Sequence, residues 1–134
     1  MAKISSIKSR IIHNSRGTKT IEVDIISDNQ YVGRTAAPSG ASVGKYEAVS
    51  FPEGGPEESL RILNENSNKF LELEPNDLKS IDGVIKSMDK TSNYSKIGGA
   101  LAYAVTIASM ESASKAAGKP AAFDADSIEA IVTA

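Results

Sequence analysis

The chain has 134 residues, 40% of them hydrophobic, enough for one compact domain with a buried core and too few for two. Charged residues make up 24% and the formal net charge is −2, which excludes broad attraction to phosphate backbones or acidic membranes, so no nucleic acid and no membrane partner is expected. The absence of cysteine rules out disulfides, thiolate nucleophiles and sulfur-based metal sites, and with no apolar run behind Met1 and no stretch approaching roughly 18 apolar residues the protein is expected to be cytoplasmic.

Residues 3–37 are rich in β-branched side chains. Ile4, Ile7, Ile11 and Ile12 mark a first strand. In the second, Ile21, Val23 and Ile25 share one face and Glu22 and Asp24 the other, the alternation of a half-buried strand. Ser27-Asp28-Asn29-Gln30 is a polar turn into a third strand from Tyr31 to Ala37. From Pro56 the spacing becomes helical: Leu60, Leu63, Phe70 and Leu71 lie near one face, and Pro56 suits a first helical turn. Asn76 is a suitable N-cap for a helix burying Leu78, Ile81, Val84, Ile85 and Met88. The small-residue run from Ile97 to Ala117 makes a longer, closely packing helix that Gly118 and Pro120 stop. Asp126-Ser127-Ile128-Glu129 has the form of a capping box opening a last short helix. The expected fold class is α+β: a three-stranded antiparallel β-meander followed by a small helical bundle.

The segment 38–55 is long for a loop in so small a domain, and long loops of this kind are often functional. Pro38-Ser39-Gly40-Ala41-Ser42-Val43-Gly44-Lys45-Tyr46-Glu47 follows a strand and offers glycines, hydroxyls and a lysine, so a phosphate-binding loop is the first comparison. It fails on geometry: only three residues separate Gly40 from Gly44 where a P-loop needs four, and Tyr46 follows Lys45 where Ser or Thr is required. On spacing alone the glycines relieve strain in a surface turn and the serines are solvated.

The motifs in their order carry more. His13-Asn14-Ser15-Arg16-Gly17-Thr18-Lys19-Thr20-Ile21-Glu22-Val23 resembles the enolase opening Asp-Ser-Arg-Gly-Asn-Pro-Thr before a Val-Glu-Val strand. Pro38-Ser39-Gly40-Ala41-Ser42 with Gly44, Tyr46, Glu47 and Ala48 is similar to that family's Pro-Ser-Gly-Ala-Ser-Thr-Gly-x-x-Glu-Ala loop. Residues 96–105 resemble its long helix, and Gly118-Lys119-Pro120 falls where its capping domain hands over to a barrel. The resemblance implies an enolase N-terminal capping domain over 1–120, a divergent segment over 121–134, and a catalytic barrel absent from these residues.

That family dehydrates 2-phosphoglycerate to phosphoenolpyruvate in glycolysis, with the lysine base, the acidic groups and the ligands of a first Mg²⁺ in the barrel. What the resemblance assigns to this chain is the mobile lid formed by Ser39, Gly40, Ala41, Ser42 and Gly44, with Ser42 as a ligand of a second Mg²⁺ once barrel and substrate are present. A hard cation that prefers oxygen fits a serine hydroxyl and carbonyl. Arg10 and Glu22 fall where enolases place charges that pair across a dimer interface; read without the family they are solvated strand charges worth little. Arg16 is similar to the family's Ser-Arg-Gly arginine near the active site, and otherwise is ordinary turn chemistry.

Other residues take the plainer reading. His13, the lone histidine, is assigned no catalysis. Glu57, Glu58 and Asp77 suit first helical turns, where negative charge favours the helix dipole. Gly98-Gly99 fits close helix packing better than an anion site. The chain departs from the family at Asn14, at Thr18-Lys19 in place of Asn-Pro, at Val43 in place of the loop threonine, at residues 50–53, and after Pro120. The expected function is therefore an enolase lid domain that needs a barrel in trans and is inactive alone; the alternative is a free-standing structural or interaction module that self-associates.

Overall fold

The computed structural model describes residues 2–13, 17, 19–37, 51–90 and 96–118. Strands β1 (Ile4–His13), β2 (Lys19–Ser27) and β3 (Tyr31–Ala36) form one antiparallel sheet in the order β1-β2-β3, the meander expected from the alternation. The register puts Ile11 opposite Ile21, Ser9 opposite Val23 and Ile7 opposite Ile25; the intervening positions pair Arg10 with Glu22 and Lys8 with Asp24. Because strand side chains alternate between faces, this register separates an apolar face from a charged one. Asp28 and Asn29 make the β2–β3 turn with φ of 51° and 58°, a left-handed pair these two residue types tolerate, and Gln30 N–H donates to the Ser27 carbonyl at 3.0 Å.

Helices α1 (Pro56–Asn66), α2 (Leu78–Met88) and α3 (Gly99–Ala116) follow, with a single 3-10 turn at Ser67–Lys69. Helix α3 packs on β3 and β2, α1 on β1 and β2, and α2 on α3. Ile21, Val23 and Ile25 are fully buried in one core with Leu63, Phe70, Ile81, Ile85, Leu101 and Val105. Each such side chain contributes about 1.5–3 kcal/mol by leaving water. The small residues of α3 let it lie close to the sheet, and its side chains bond the backbone of β3: Ser112 Oγ donates to the Tyr31 carbonyl at 2.7 Å, Lys115 Nζ to the Val32 carbonyl at 2.6 Å, and Glu111 accepts from Arg34 N–H at 2.9 Å. These contacts cover that edge of the sheet, which would otherwise invite another strand. Among the described residues no helix is long and apolar enough to cross a membrane.

Two local expectations are corrected. The N-cap of α2 is Asp77, not Asn76: its carboxylate accepts from Ser80 N–H at 3.2 Å and Ser80 Oγ at 2.7 Å. Leu71 does not share the buried face of α1. The helix ends at Asn66, whose side-chain amide donates back to the Ile62 carbonyl, and the tighter 3-10 turn and the left-handed Glu72 (φ 71°) break the helical period. Phe70 is consequently buried while Leu71 is 39% exposed. Gly98 (φ 85°) and Gly99 are both buried at the start of α3, in keeping with close packing there. The capping-box segment 126–129 lies outside the described residues.

Candidate functional site

One end of the sheet gathers the connections that the sequence singles out. His13, at the end of β1, pairs with Lys19, the first residue of β2. The 38–50 segment leaves from Ala37 and returns at Phe51, and both ends are fixed there. Ala37 is buried; its N–H donates to the Ile21 carbonyl at 3.0 Å, and its own carbonyl accepts the buried Thr20 hydroxyl at 2.7 Å. On the returning side Phe51 packs against the core, Pro52 is buried, and Gly55 N–H donates to the Pro52 carbonyl at 2.8 Å. Gly55, with φ of 81°, turns the chain into α1, and Pro56 starts the helix with a residue whose missing N–H costs nothing at that position. The first turn of α1 is tied back to the sheet by Lys19 Nζ–Glu57 Oε2 at 2.8 Å, and the Lys19 ammonium holds the Glu57 carboxyl below its ordinary range. Residues Ser39, Gly40, Ala41, Ser42 and Gly44, and Arg16, lie outside the described residues; what is placed is the frame that carries them.

The charged face of the sheet holds the other predicted pair. Arg10 and Glu22 are cross-strand neighbours bonded to each other within the chain at 2.5 Å. They belong to a larger network that sequence reading missed. Arg10 also reaches Asp24 at 2.7 Å, and Arg34 on β3 meets Asp24 from the other side with Nε–Oδ1 at 2.8 Å and Nη2–Oδ2 at 3.1 Å. Asp24 is only 3% exposed, sealed beneath the two guanidinium groups. The hydrogen bond from Arg34, reinforced by Arg10 and opposed by desolvation, lowers its pKa to about 2. Such an arrangement fixes charge and strand register; an acid held ionised between two permanent cations is no proton donor near neutral pH. The available signal was that Asp24 lies two residues from Glu22 on the same strand face, but its partner Arg34 becomes its neighbour only through the β2–β3 register.

No three His, Asp or Glu side chains among the described residues come together as a metal-holding cluster.

The family model described as "Enolase, N-terminal domain" matches residues 4–122 of the chain. The enolases of Methanosphaera stadtmanae and Methanothermobacter thermautotrophicus are each 39% identical to it over 118 residues, 87% of this chain and 28% of the relative. That of Halorubrum lacusprofundi is 35% identical over 121 residues, 90% of this chain and 30% of the relative. The chain spans less than a third of the length of these curated relatives.

Proposed function

This chain belongs to the enolase N-terminal domain family, and from that membership we propose that it acts as the capping part of a phosphopyruvate hydratase, closing the 38–50 segment over 2-phosphoglycerate bound in a barrel domain. The observation that supports the reading is the placement of that segment between two immobilised ends, Ala37 and the Phe51–Gly55 turn. Rigid feet with a glycine- and serine-rich span between them are what a loop needs to close repeatedly onto the same geometry. When bound, Mg²⁺ supplies charge stabilisation for the phosphorylated substrate. Ser42 would contribute an oxygen ligand, and residues 39–41 and Gly44 would exclude water from the closed site. Bond-breaking groups are assigned to the barrel, so the chain alone is not expected to turn over. Arg10 and Glu22 are proposed to serve assembly from the charged sheet face, with their network holding that face in one arrangement.

The reading is tested by measuring conversion of 2-phosphoglycerate to phosphoenolpyruvate with excess Mg²⁺, for the chain alone and mixed with a separately expressed enolase barrel. Activity only in the mixture, falling at least tenfold in Ser42→Ala, is expected for loss of a group acting at the reacting centre. Turnover by the chain alone, or full activity of Ser42→Ala in the mixture, would overturn it. A second reading is an interaction module without catalysis; among the described residues Leu71 is the one exposed large apolar side chain. Silence of every mixture, together with a concentration-dependent change in mass by sedimentation, would support that module instead.

A further inference from the structure

We propose that the outer edge of β1, from Ile7 to Ile11, is a docking site for an extended acidic segment of a partner protein, which adds to the sheet as a fourth strand. It goes beyond the hydratase reading and does not depend on it. Ladder geometry decides which backbone groups face outward. The Ile21 carbonyl accepts from Ala37 N–H and the Ser27 carbonyl from Gln30 N–H, so the odd-numbered residues of β2 turn their backbone groups toward β3. Ile7, Ser9 and Ile11, opposite Ile25, Val23 and Ile21, therefore turn theirs away from β2. The two edges of the sheet differ. On β3, Arg34 N–H and the Val32 carbonyl are taken by Glu111 and Lys115 of α3. On β1, among the described residues, the outer edge is taken at Ile4 alone, which donates to the Leu73 carbonyl at 2.7 Å and accepts from Glu72 N–H at 3.0 Å. An edge left open in this way is a template for another strand.

The side chains along this edge are as incomplete as its backbone. Ser9 Oγ is the one buried side-chain polar atom without a hydrogen-bond partner among the described residues. It lies between Ile7 and Ile11, which pack against the core but are only partly buried. A strand laid here would pair three backbone positions, cover both isoleucines and set a hydroxyl against Ser9. Charge selects the occupant. From Ile4 to His13 the strand carries Lys8, Arg10 and His13 and no acid. Arg10 is engaged by Glu22 and Asp24, whereas Lys8 is exposed and makes no ion pair among the described residues. A second copy pairing antiparallel with Ser9 against Ser9 would set each Lys8 against the other copy's Arg10, like charges directly opposite. A strand with carboxylates at those positions gains where a second copy loses.

The probe is the peptide acetyl-Thr-Val-Glu-Thr-Glu-Val-Thr-amide, which presents carboxylates to Lys8 and Arg10 and a hydroxyl to Ser9; its control has lysine for both glutamates. Residue-resolved hydrogen exchange on the whole chain is the primary readout. With roughly 1 mM acidic peptide the Ile7, Ser9 and Ile11 amides should exchange at least about twofold more slowly, while the Ile25 amide in mid-sheet is unchanged. The lysine peptide should bind about tenfold more weakly. Lys8→Glu, a change at an exposed side chain, should reverse the preference between the two peptides, and Ser9→Ala should weaken the acidic one roughly fivefold. No slowing at the three edge amides, equal binding of the two peptides, or a preference unchanged in Lys8→Glu would overturn the proposal. So would protection of the same amides that rises with the concentration of the chain alone, which would assign the edge to a second copy.

Discussion

Gly33 of β3 lies against Ala108 of α3 with no room for a side chain: a Cβ at Gly33 would fall 1.8 Å from the Ala108 carbonyl oxygen and 2.7 Å from Ser112 N. Both obstacles are backbone, so neither can rotate away. Gly33→Ala must push helix and strand apart, and a loss of about 3 kcal/mol is expected from overpacking of this kind. Gly83, exposed on α2, is the control, since a Cβ there would meet nothing within 4 Å. Gly83→Ala should stabilise by about 0.5–1 kcal/mol. Urea unfolding midpoints at unchanged slope distinguish the two.

Asp24 makes stability depend on acid. Its folded pKa is about 2 against an ordinary 3.8, so the ionised form is favoured by folding. The resulting stabilisation is fully present above about pH 4 and is lost as pH falls through about 2; the size is about 2 kcal/mol. Asp24→Asn should lower stability at pH 7 by a similar amount and flatten the decline between pH 4 and pH 2. Equilibrium unfolding at a series of pH values gives both quantities, and an unaltered acid limb in Asp24→Asn would contradict the assignment.

Two buried serines form a directed relay between sheet and helix. Ser112 Oγ has one proton and gives it to the Tyr31 carbonyl at 2.7 Å, so in the 2.8 Å contact between the hydroxyls Ser27 is the donor and Ser112 the acceptor. Ser112→Ala therefore strands a donor and an acceptor together, and about 1–3 kcal/mol of stability should be lost. The doubly substituted Ser27→Ala/Ser112→Ala protein should recover part of it, because only the Tyr31 carbonyl is then left. A double-mutant cycle by thermal or urea unfolding measures this coupling.

The helix cap provides a one-residue test. Asp77→Ala should lower the unfolding midpoint and reduce protection of the Ser80 amide, whereas Asn76→Ala should change neither, since the bond at 3.2 Å comes from Asp77. Equal effects from the two substitutions would contradict the observed cap.

Much of this architecture is legible in order along the chain. Ile21, Val23 and Ile25 alternate with polar residues because a half-buried strand has a period of two, and all three are found in the core. Pro56 marks the start of α1, and the run of small residues after Gly98 marks α3, because local backbone preferences suffice for both. The Ser-Gly-Ala-Ser segment and the strand motif before it place the chain with the enolases, and the family match over residues 4–122 agrees. The cap was legible only to within one residue: Asn76 and Asp77 both suit the role, and the backbone entering α2 decides between them.

Other features exist only once strands are paired and helices docked. Asp24 looks like a solvated partner of Glu22 on the polar face, yet it is buried, because the register brings Arg34 beside it while Arg10 covers it from β1. Thr20 looks like one more β-branched strand residue until the chain returns through β3 and sets the Ala37 carbonyl against its hydroxyl. Sequence by itself determined most of the described elements and the family, since these depend on periodicity and on residues adjacent in the chain. Tertiary structure alone decided which charges neutralise one another and how Ala37 is held, because hydrogen bonds and ion pairs are set by distances between residues 10 to 85 positions apart.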